Sequence, residues 1–395
     1  MVKSLGEKKV SNHVPEDLAL LVLSKLPLKS LKRFGCFKKS WSVLFENPYF
    51  ITMFRTNFIS ISPSYYDDTT LVLQEFVHNP LQIPRVKCYF HSLSGHRFEN
   101  RLKFHMPNPF QVEDPVLYIL ESGFVNGTLC LYGGGSEKLA LWNPSTNELN
   151  VVPSGSVVSM PPYRNMNSLI TLHGFGYDHA RDDYKIIRSI NFSPQNDQFH
   201  FSFNLLEYAL AWEIYSLRCN TWEQLHVNMP ELSYSGLLNT DGICHWLSEN
   251  KKNFQRHLVS FDLNNHVFFA TFTPLAIPTD IDPNFDFEDV STQFVMLNGS
   301  IALISWYGDM TTFHISVLGE LGVSESWTKL FIIGPLSDLF MYPIGAGSNG
   351  DISFKAGEGK LVFFDLRTQM IEELDGFEKA SSRIIIYKKN GGINH

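Results

Sequence analysis

The chain reads as mainly β, with a small α-helical amino-terminal module followed by a β-propeller of about six blades. Three observations predict this. Helical spacing with proline punctuation is confined to Val14–Phe50. Beyond residue 56, short apolar runs bounded by Gly, Asn, Asp and Pro follow one another, the grammar of short antiparallel strands. Those runs recur at a loose period of roughly 40–50 residues, which is what four-stranded propeller blades require.

In the module, Pro15 suits a first helical turn, where its missing N–H costs nothing, and Glu16 and Asp17 complement the positive end of the helix dipole. Leu18, Leu21 and Val22 recur at helical spacing until Pro27 forbids continuation. Leu28, Leu31 and Phe34 predict a second helix, in which Gly35 lowers propensity by about 1 kcal/mol against alanine. Trp41, Leu44 and Phe45 predict a third that stops before Pro48, with Leu21 and Leu44 internal to the module. So small a unit exposes more apolar surface than it can bury alone, which predicts docking on a partner.

In the strand-rich region Gly127, Gly242, Gly299 and Gly350 each open an apolar alternation, and a second strand ending in a polar turn follows. With Phe90, Trp142, Tyr215, Phe261, Ile315 and Phe364 as anchors, the gaps are 52, 73, 46, 54 and 49 residues. The 73-residue gap accommodates insertions around Ser154–Ser168 and Ser193–Phe203. Trp142, Trp222 and Trp327 have the size to fill the wedge between sheets, and Asn143, Asp178 and Asp262 the chemistry to bond their own backbone and set turns. The candidates Phe58–Ile61 and Arg383–Tyr387, at opposite ends of the region, are expected to complete one blade and close the ring. A two-sheet sandwich split over two domains is the alternative.

Composition is ample for packed cores: 395 residues, 44% hydrophobic, with 32 Phe that suit sheets. No run approaches the roughly 18 apolar residues of a membrane span, and the start lacks the apolar core of a secretory signal. Five cysteines without a Cys-x-x-Cys predict neither a disulfide framework nor a zinc site, so a reducing cytoplasmic or nuclear location is expected. Residues 1–55 carry ten Lys/Arg against four Asp/Glu; the remainder carries 22 against 36. That acidic remainder offers no basic stripe for nucleic acid. Gly345–Gly350 is a literal GxGxxG but precedes a strand-like run rather than a helix, so it reads as a turn. Asp280–Asp286 begins like a calcium loop but lacks Gly at the sixth and Glu at the twelfth position. His173, Asp178, His179, Asp182 and Asp183 fit a hairpin turn better than an acid/base cluster, and His200, His245, His257 and His266 are scattered without metal spacing. No catalytic, cofactor-binding or metal-ligating residue is assigned.

Two resemblances add to this reading. Val14-Pro15-Glu16-Asp17-Leu18, Leu26-Pro27-Leu28-Lys29-Ser30-Leu31, Cys36, Lys39-Ser40-Trp41 and Pro48-Tyr49-Phe50 resemble the F-box, with Val14 in place of the usual leucine and an altered junction at Gly35, Phe37 and Lys38. Trp142–Thr146, Gly174–Asp178 with Asp183-Tyr184-Lys185, Tyr215-Ser216-Leu217, His245-Trp246-Leu247, Ser260–Leu263 and Glu325–Leu330 resemble the plant F-box-associated interaction domain, a kelch-like propeller. The resemblance implies a disordered segment 1–10, an F-box at 11–55, an F-box-associated propeller at 56–388 and a disordered tail 389–395. It implies docking on a Skp-type adaptor through Pro15, Leu18, Val22, Leu26, Pro27, Leu31 and Trp41, and through the adaptor on cullin and RING subunits of a ubiquitin ligase. The propeller would then bind an unidentified protein target. An acidic stretch holding Asp280, Asp282, Asp286, Glu288 and Asp289 is a candidate for attracting a basic target. The chain itself is expected not to be an enzyme and to bind neither nucleic acid nor membrane. The competing readings are a binding protein that recruits the adaptor without ubiquitin transfer, and a propeller enzyme.

Overall fold

The computed structural model describes residues 14–37, 43–60, 69–78, 86–94, 100–111, 114, 116–134, 137–155, 166–194, 210–227, 229, 237–250, 255–274, 290–307, 311–336, 342–346, 350–356, 361–374 and 381–388. The first helical signals become α1 (Glu16–Leu23) and α2 (Leu28–Phe37). Pro15 stands at the cap of α1, with Glu16 and Asp17 in the first turn. The Pro27 carbonyl accepts the opening amide bonds of α2, from Ser30 at 2.9 Å and Leu31 at 3.2 Å.

Of the expected third helix, Trp41 lies outside the described residues, and Leu44–Glu46 forms a 3-10 turn that stops before Pro48; the correction is that Pro48 itself starts a further helix, α3 (Pro48–Ser60), the longest among the described residues. Asn47 explains the difference: its Oδ1 accepts from the amides of Tyr49 at 2.9 Å and Phe50 at 3.2 Å, an N-cap that leaves Pro48 at the first helical position, where no donor is needed. Phe50, Phe54 and Phe58 then bury one face at helical spacing, and Phe45 meets Phe50 and Phe54 edge-on at 5.7 and 5.4 Å. Phe58–Ser60 is therefore the last turn of α3, not part of a strand. Trp41 and Ile61 lie outside the described residues.

The chain forms two compact units, Met1–Ile61 and Ser62–His395. The second carries six four-stranded antiparallel sheets. Its strands are β1 (Thr69–His78), β2 (Val86–Ser94) and β3 (Asn100–Phe104), then β4 (Tyr118–Val125), β5 (Thr128–Tyr132), β6 (Leu139–Asn143) and β7 (Glu148–Val152). Next come β8 (Met166–Asp178), β9 (Asp183–Pro194), β10 (Leu210–Ser216) and β11 (Thr221–Leu225). The fourth sheet has β12 (Leu238–Thr240), β13 (Ile243–Asn250), β14 (Gln255–Asp262) and β15 (Val267–Phe272). The fifth has β16 (Val290–Leu297), β17 (Ser300–Tyr307), β18 (Phe313–Val317) and β19 (Thr328–Ile333). The last has β20 (Tyr342–Ala346), β21 (Asp351–Lys355), β22 (Leu361–Asp365) and β23 (Ile371–Leu374), followed by β24 (Ser381–Lys388).

β24 returns to the first sheet and pairs with β1 from Thr69↔Lys388 to Phe76↔Ser381. The innermost strands β24, β4, β8, β12, β16 and β20 adjoin one another in that order, and β20 meets β24 again. The unit is thus a closed six-bladed propeller. Arg383–Tyr387 closes the ring as the sequence predicts, but its partner is β1 rather than Phe58–Ile61. All six anchors, Phe90, Trp142, Tyr215, Phe261, Ile315 and Phe364, fall on the third strand from the centre of their blades.

Two turn chemistries repeat. Asn126-Gly127, Asp241-Gly242 and Asn298-Gly299 make two-residue hairpins with both φ angles positive, the type I′ geometry that matches strand twist and tolerates few residues besides Asn, Asp and Gly. The four-residue turns begin on an acid or amide: Oδ1 of Asn143, Asp178 and Asp262 accepts from the amide two residues on at 2.9, 3.0 and 2.8 Å. Aromatic side chains join blades. Trp142 is buried with Val72 and Phe90 of the first blade. Trp222 Nε1 donates to Pro153 O at 2.7 Å, just past β7, and Trp327 Nε1 to Phe272 O on β15 at 2.9 Å, each reaching the preceding blade. Between the third and fourth blades, Asp178 Oδ2 accepts from Lys185 Nζ at 2.6 Å and Arg181 Nη1 at 2.9 Å. The same two cations donate to Leu263 O and Asn264 O at 3.0 and 2.7 Å. Burial pushes the Asp178 carboxyl up, but the bonds from Lys185 and Arg181 prevail and hold it at about 2.

Because β24 supplies the inner strand of the first blade, its removal exposes the whole inner edge of β1. A chain that stops before Ser381 is expected to lose cooperative unfolding of the propeller altogether, rather than fray at one end. Thermal unfolding followed by near-UV circular dichroism checks this, and an unaltered transition counts against closure by β24.

Candidate functional site

On α1 the register separates two faces. Leu23 is buried, and Ser24 beside it bonds Leu21 O at 2.8 Å while accepting from Asn57 Nδ2 of α3 at 2.7 Å. Those contacts fix the helix and leave Val14, Leu18, Leu21 and Val22 uncovered on its other side; Leu18 is 51% and Val22 56% exposed. An apolar face of this kind on a small helical unit is the signature of a docking surface.

The sequence-predicted surface divides accordingly. Pro15, Leu18, Val22 and Pro27 are exposed, and Leu26 is half-buried. Leu31 is only 2% exposed, so it can support the surface but not present itself. Trp41 lies outside the described residues. Leu21, expected inside, is 44% exposed and belongs to the face, whereas Leu44 is buried as expected. The missed signal is the i, i+3, i+4 spacing of Leu18, Leu21 and Val22, which puts all three on one stripe of α1, with Val14 exposed just ahead of the helix.

In the propeller, the two-residue and four-residue turns gather at one end of the blades, and the second-to-third and blade-to-blade connections leave from the other. Thr69, where β1 begins, is at the turn end. Asp280, Asp282, Asp286, Glu288 and Asp289 lie outside the described residues. The strand ends flanking them, Phe272 and Val290, are at the connection end, as are those flanking 156–165 and 195–209. The insertions expected at Ser154–Ser168 and Ser193–Phe203 are displaced at their edges: Ser168 lies in β8 and Ser193 in β9, and after β9 the next strand starts only at Leu210, beyond Phe203.

The imagined acid/base cluster does not converge. Asp178 and Asp183 flank the β8–β9 turn, His179 and Asp182 are exposed, and His173 is buried one blade layer in, between the rings of Trp212 at 4.7 Å and Trp246 at 5.1 Å. His173 Nε2 lies 2.9 Å from Ser189 Oγ. His245 is buried too, 2.8 Å from Ser260 Oγ and 2.6 Å from Thr240 Oγ1. Burial lowers each imidazole to about 3, so both are neutral. Gly345 and Ala346 end β20 and Gly350 leads into β21, so the glycine run joins two strands. Among the described residues no group of three His, Cys, Asp or Glu is placed to hold a metal ion.

Residues 98–391 match the profile of the F-box associated beta propeller domain. An Arabidopsis thaliana F-box protein is 26% identical over 66% of this chain and 60% of its own length. The F-box/WD-40 repeat-containing protein 1 of the same plant is 23% identical over 83% of this chain and 70% of its own, and its F-box protein CPR1 is 24% identical over 64% and 62%. The chain spans 60 to 70% of the length of these curated relatives. Among solved structures, TolB from Acinetobacter baumannii is similar at 11% identity with a TM-score of 0.46, covering 86% of this chain and 71% of that one, a likeness from which no function transfers.

The two buried imidazoles contribute to the acid sensitivity of the propeller. Each has a lowered folded pKa, so below about 6.5 the unfolded chain takes up a proton that the folded chain refuses until about 3. Stability is expected to fall as pH drops through that window, by up to about 1.4 kcal/mol per pH unit per histidine. His173→Gln, which keeps a partner for Ser189, should flatten the slope measured by denaturant unfolding at stepped pH. An unchanged slope would place the titration elsewhere.

Proposed function

The chain belongs to the F-box-associated β-propeller family and is an F-box protein of the plant type, and from that premise we propose that it is the substrate receptor of a Skp-cullin-F-box ubiquitin ligase. The observation that carries the proposal is the uncovered stripe of Leu18, Leu21 and Val22, with Val14 just ahead of it, borne by a helical unit ahead of a closed propeller. The stripe would dock on the Skp-type adaptor, with Pro15, Leu26 and Pro27 beside it, Leu31 supporting it from below and Trp41 completing it. The adaptor would connect the chain to cullin and RING subunits. The propeller would hold a target protein near the ubiquitin-conjugating enzyme, so that the chain contributes proximity and orientation while its partners perform the chemistry. Such a receptor would work in the cytoplasm or nucleus. No helix among the described residues is long and apolar enough to cross a membrane.

Leu18→Asp and Val22→Asp should each abolish capture of the adaptor by pull-down while leaving the fold intact, because docking would bury an unpaired carboxylate at a cost on the order of 3–5 kcal/mol. Leu44→Asp should unfold the helical unit instead, since Leu44 is buried. Undiminished capture by both surface variants would remove the adaptor assignment. A cullin that co-purifies with the full-length chain distinguishes a ligase subunit from a protein that recruits the adaptor alone.

For the target, the proposal is that Asp280, Asp282, Asp286, Glu288 and Asp289 attract a basic surface. Neutralising all five should slow target association at low salt and leave adaptor binding unchanged. Equal association rates for variant and parent across a salt series would reduce these acids to a solubility role.

A further inference from the structure

A propeller blade leaves one open edge, its fourth strand, and open edges need protection against pairing with other strands. Five of the six fourth strands carry charged side chains: Arg101 and Lys103 on β3, Glu148 on β7, Glu223 on β11, Lys329 on β19, Glu372 and Glu373 on β23. The sixth, β15, is Val267-Phe268-Phe269-Ala270-Thr271-Phe272 and carries none.

The backbone of β15 shows which groups are available. Thr273 N bonds Arg256 O on the β14 side, so Thr271, Phe269 and Val267 also turn their backbone groups inward, and Phe272, Ala270 and Phe268 turn theirs outward. Phe272 is already covered: its N–H goes to Ser324 Oγ at 3.1 Å, and its carbonyl accepts from Trp327 Nε1 at 2.9 Å. The outward groups of Phe268 and Ala270 have no partner among the described residues, and Ala270 and Val267 are exposed.

We propose that this stretch of β15 is a homodimer interface, occupied by β15 of a second copy of the chain in antiparallel register about Phe269. The register is self-complementary. With the two-fold axis at Phe269, Phe268 faces the partner's Ala270 and Ala270 the partner's Phe268, and each pair exchanges two backbone bonds. A large side chain lies against a small one in both pairs. Phe269 meets its own counterpart in the non-hydrogen-bonded position, where cross-strand side chains are closest and aromatic pairs are favourable. Two blades then merge into one eight-stranded sheet, and β15 itself brings no charge to the seam. An unrelated extended segment satisfies the backbone but not the matched side-chain pairs. The inference is independent of adaptor docking, which uses α1.

Sedimentation equilibrium of the full chain over the micromolar range tests it. The parent should form a concentration-dependent dimer. Ala270→Lys adds an ammonium to the free edge, and Ala270→Pro removes only an outward N–H, which an edge position tolerates. Both should weaken dimerisation by about tenfold or more with unchanged circular dichroism, while Val151→Lys on the β7 edge should not. A parent that stays monomeric, or a dimer that forms equally well in Ala270→Lys, overturns the proposal. If one Ala270 variant misfolds, the other decides.

Discussion

The pairing of β24 with β1 is the constraint on which the propeller rests. A blade is a twisted sheet with one face against each neighbour, and its core exists only while both neighbours are in place. The first blade takes β1, β2 and β3 from the start of the unit and its innermost strand from the end. The eight-residue register from Thr69↔Lys388 to Phe76↔Ser381 therefore ties together strands that are far apart in the chain. The family match begins at residue 98, within this blade, so β1 and β2 precede it although the ring cannot close without them.

Around that ring the rest is repetition with local fasteners. From the first blade to the fifth, each wedge is filled by apolar side chains from two sheets, as Trp142 does between the first and second blades. The fasteners are directional: the indole bonds of Trp222 and Trp327 to the preceding blade, and the Asp178, Lys185 and Arg181 node between two turns. Lys185 and Asp178 are both buried, and such a pair is tolerable because each charge finds further partners, Leu263 O for the ammonium and the Arg181 guanidinium for the carboxylate. Tight turns crowd one end of the blades. The longer connections leave from the other, where a rigid scaffold can vary its loops without disturbing its core.

The helical unit solves the opposite problem. It has few residues, so its stability is concentrated in the phenylalanine face of α3 and the 3-10 turn packed with it, notably Phe45. On α1 only Leu23 and Ser24 turn inward, and Leu18 and Val22 stay exposed on the other side.

Much of this was legible in the residues themselves. Asn-Gly and Asp-Gly pairs fix type I′ hairpins through their tolerance of positive φ, and Asn143, Asp178 and Asp262 fix the longer turns through bonds spanning two residues. Recurrence of anchors then gave the blade count, because each blade repeats one local pattern. The sequence misled where a residue has two local readings. Pro48 can end a helix or begin one, and Asn47 decides; Phe58 and Ile59 favour strands in isolation, but burial on α3 prevails. Legibility also failed for Leu21, whose helical spacing does not say which face of α1 its neighbours leave uncovered. The partner of β24, the inter-blade bonds of the tryptophans and the uncharged open edge of β15 were settled by tertiary structure alone. Turn chemistry and periodicity act over a few residues and are written in the chain, whereas strand partners and exposed faces depend on surfaces that exist only once distant segments have met.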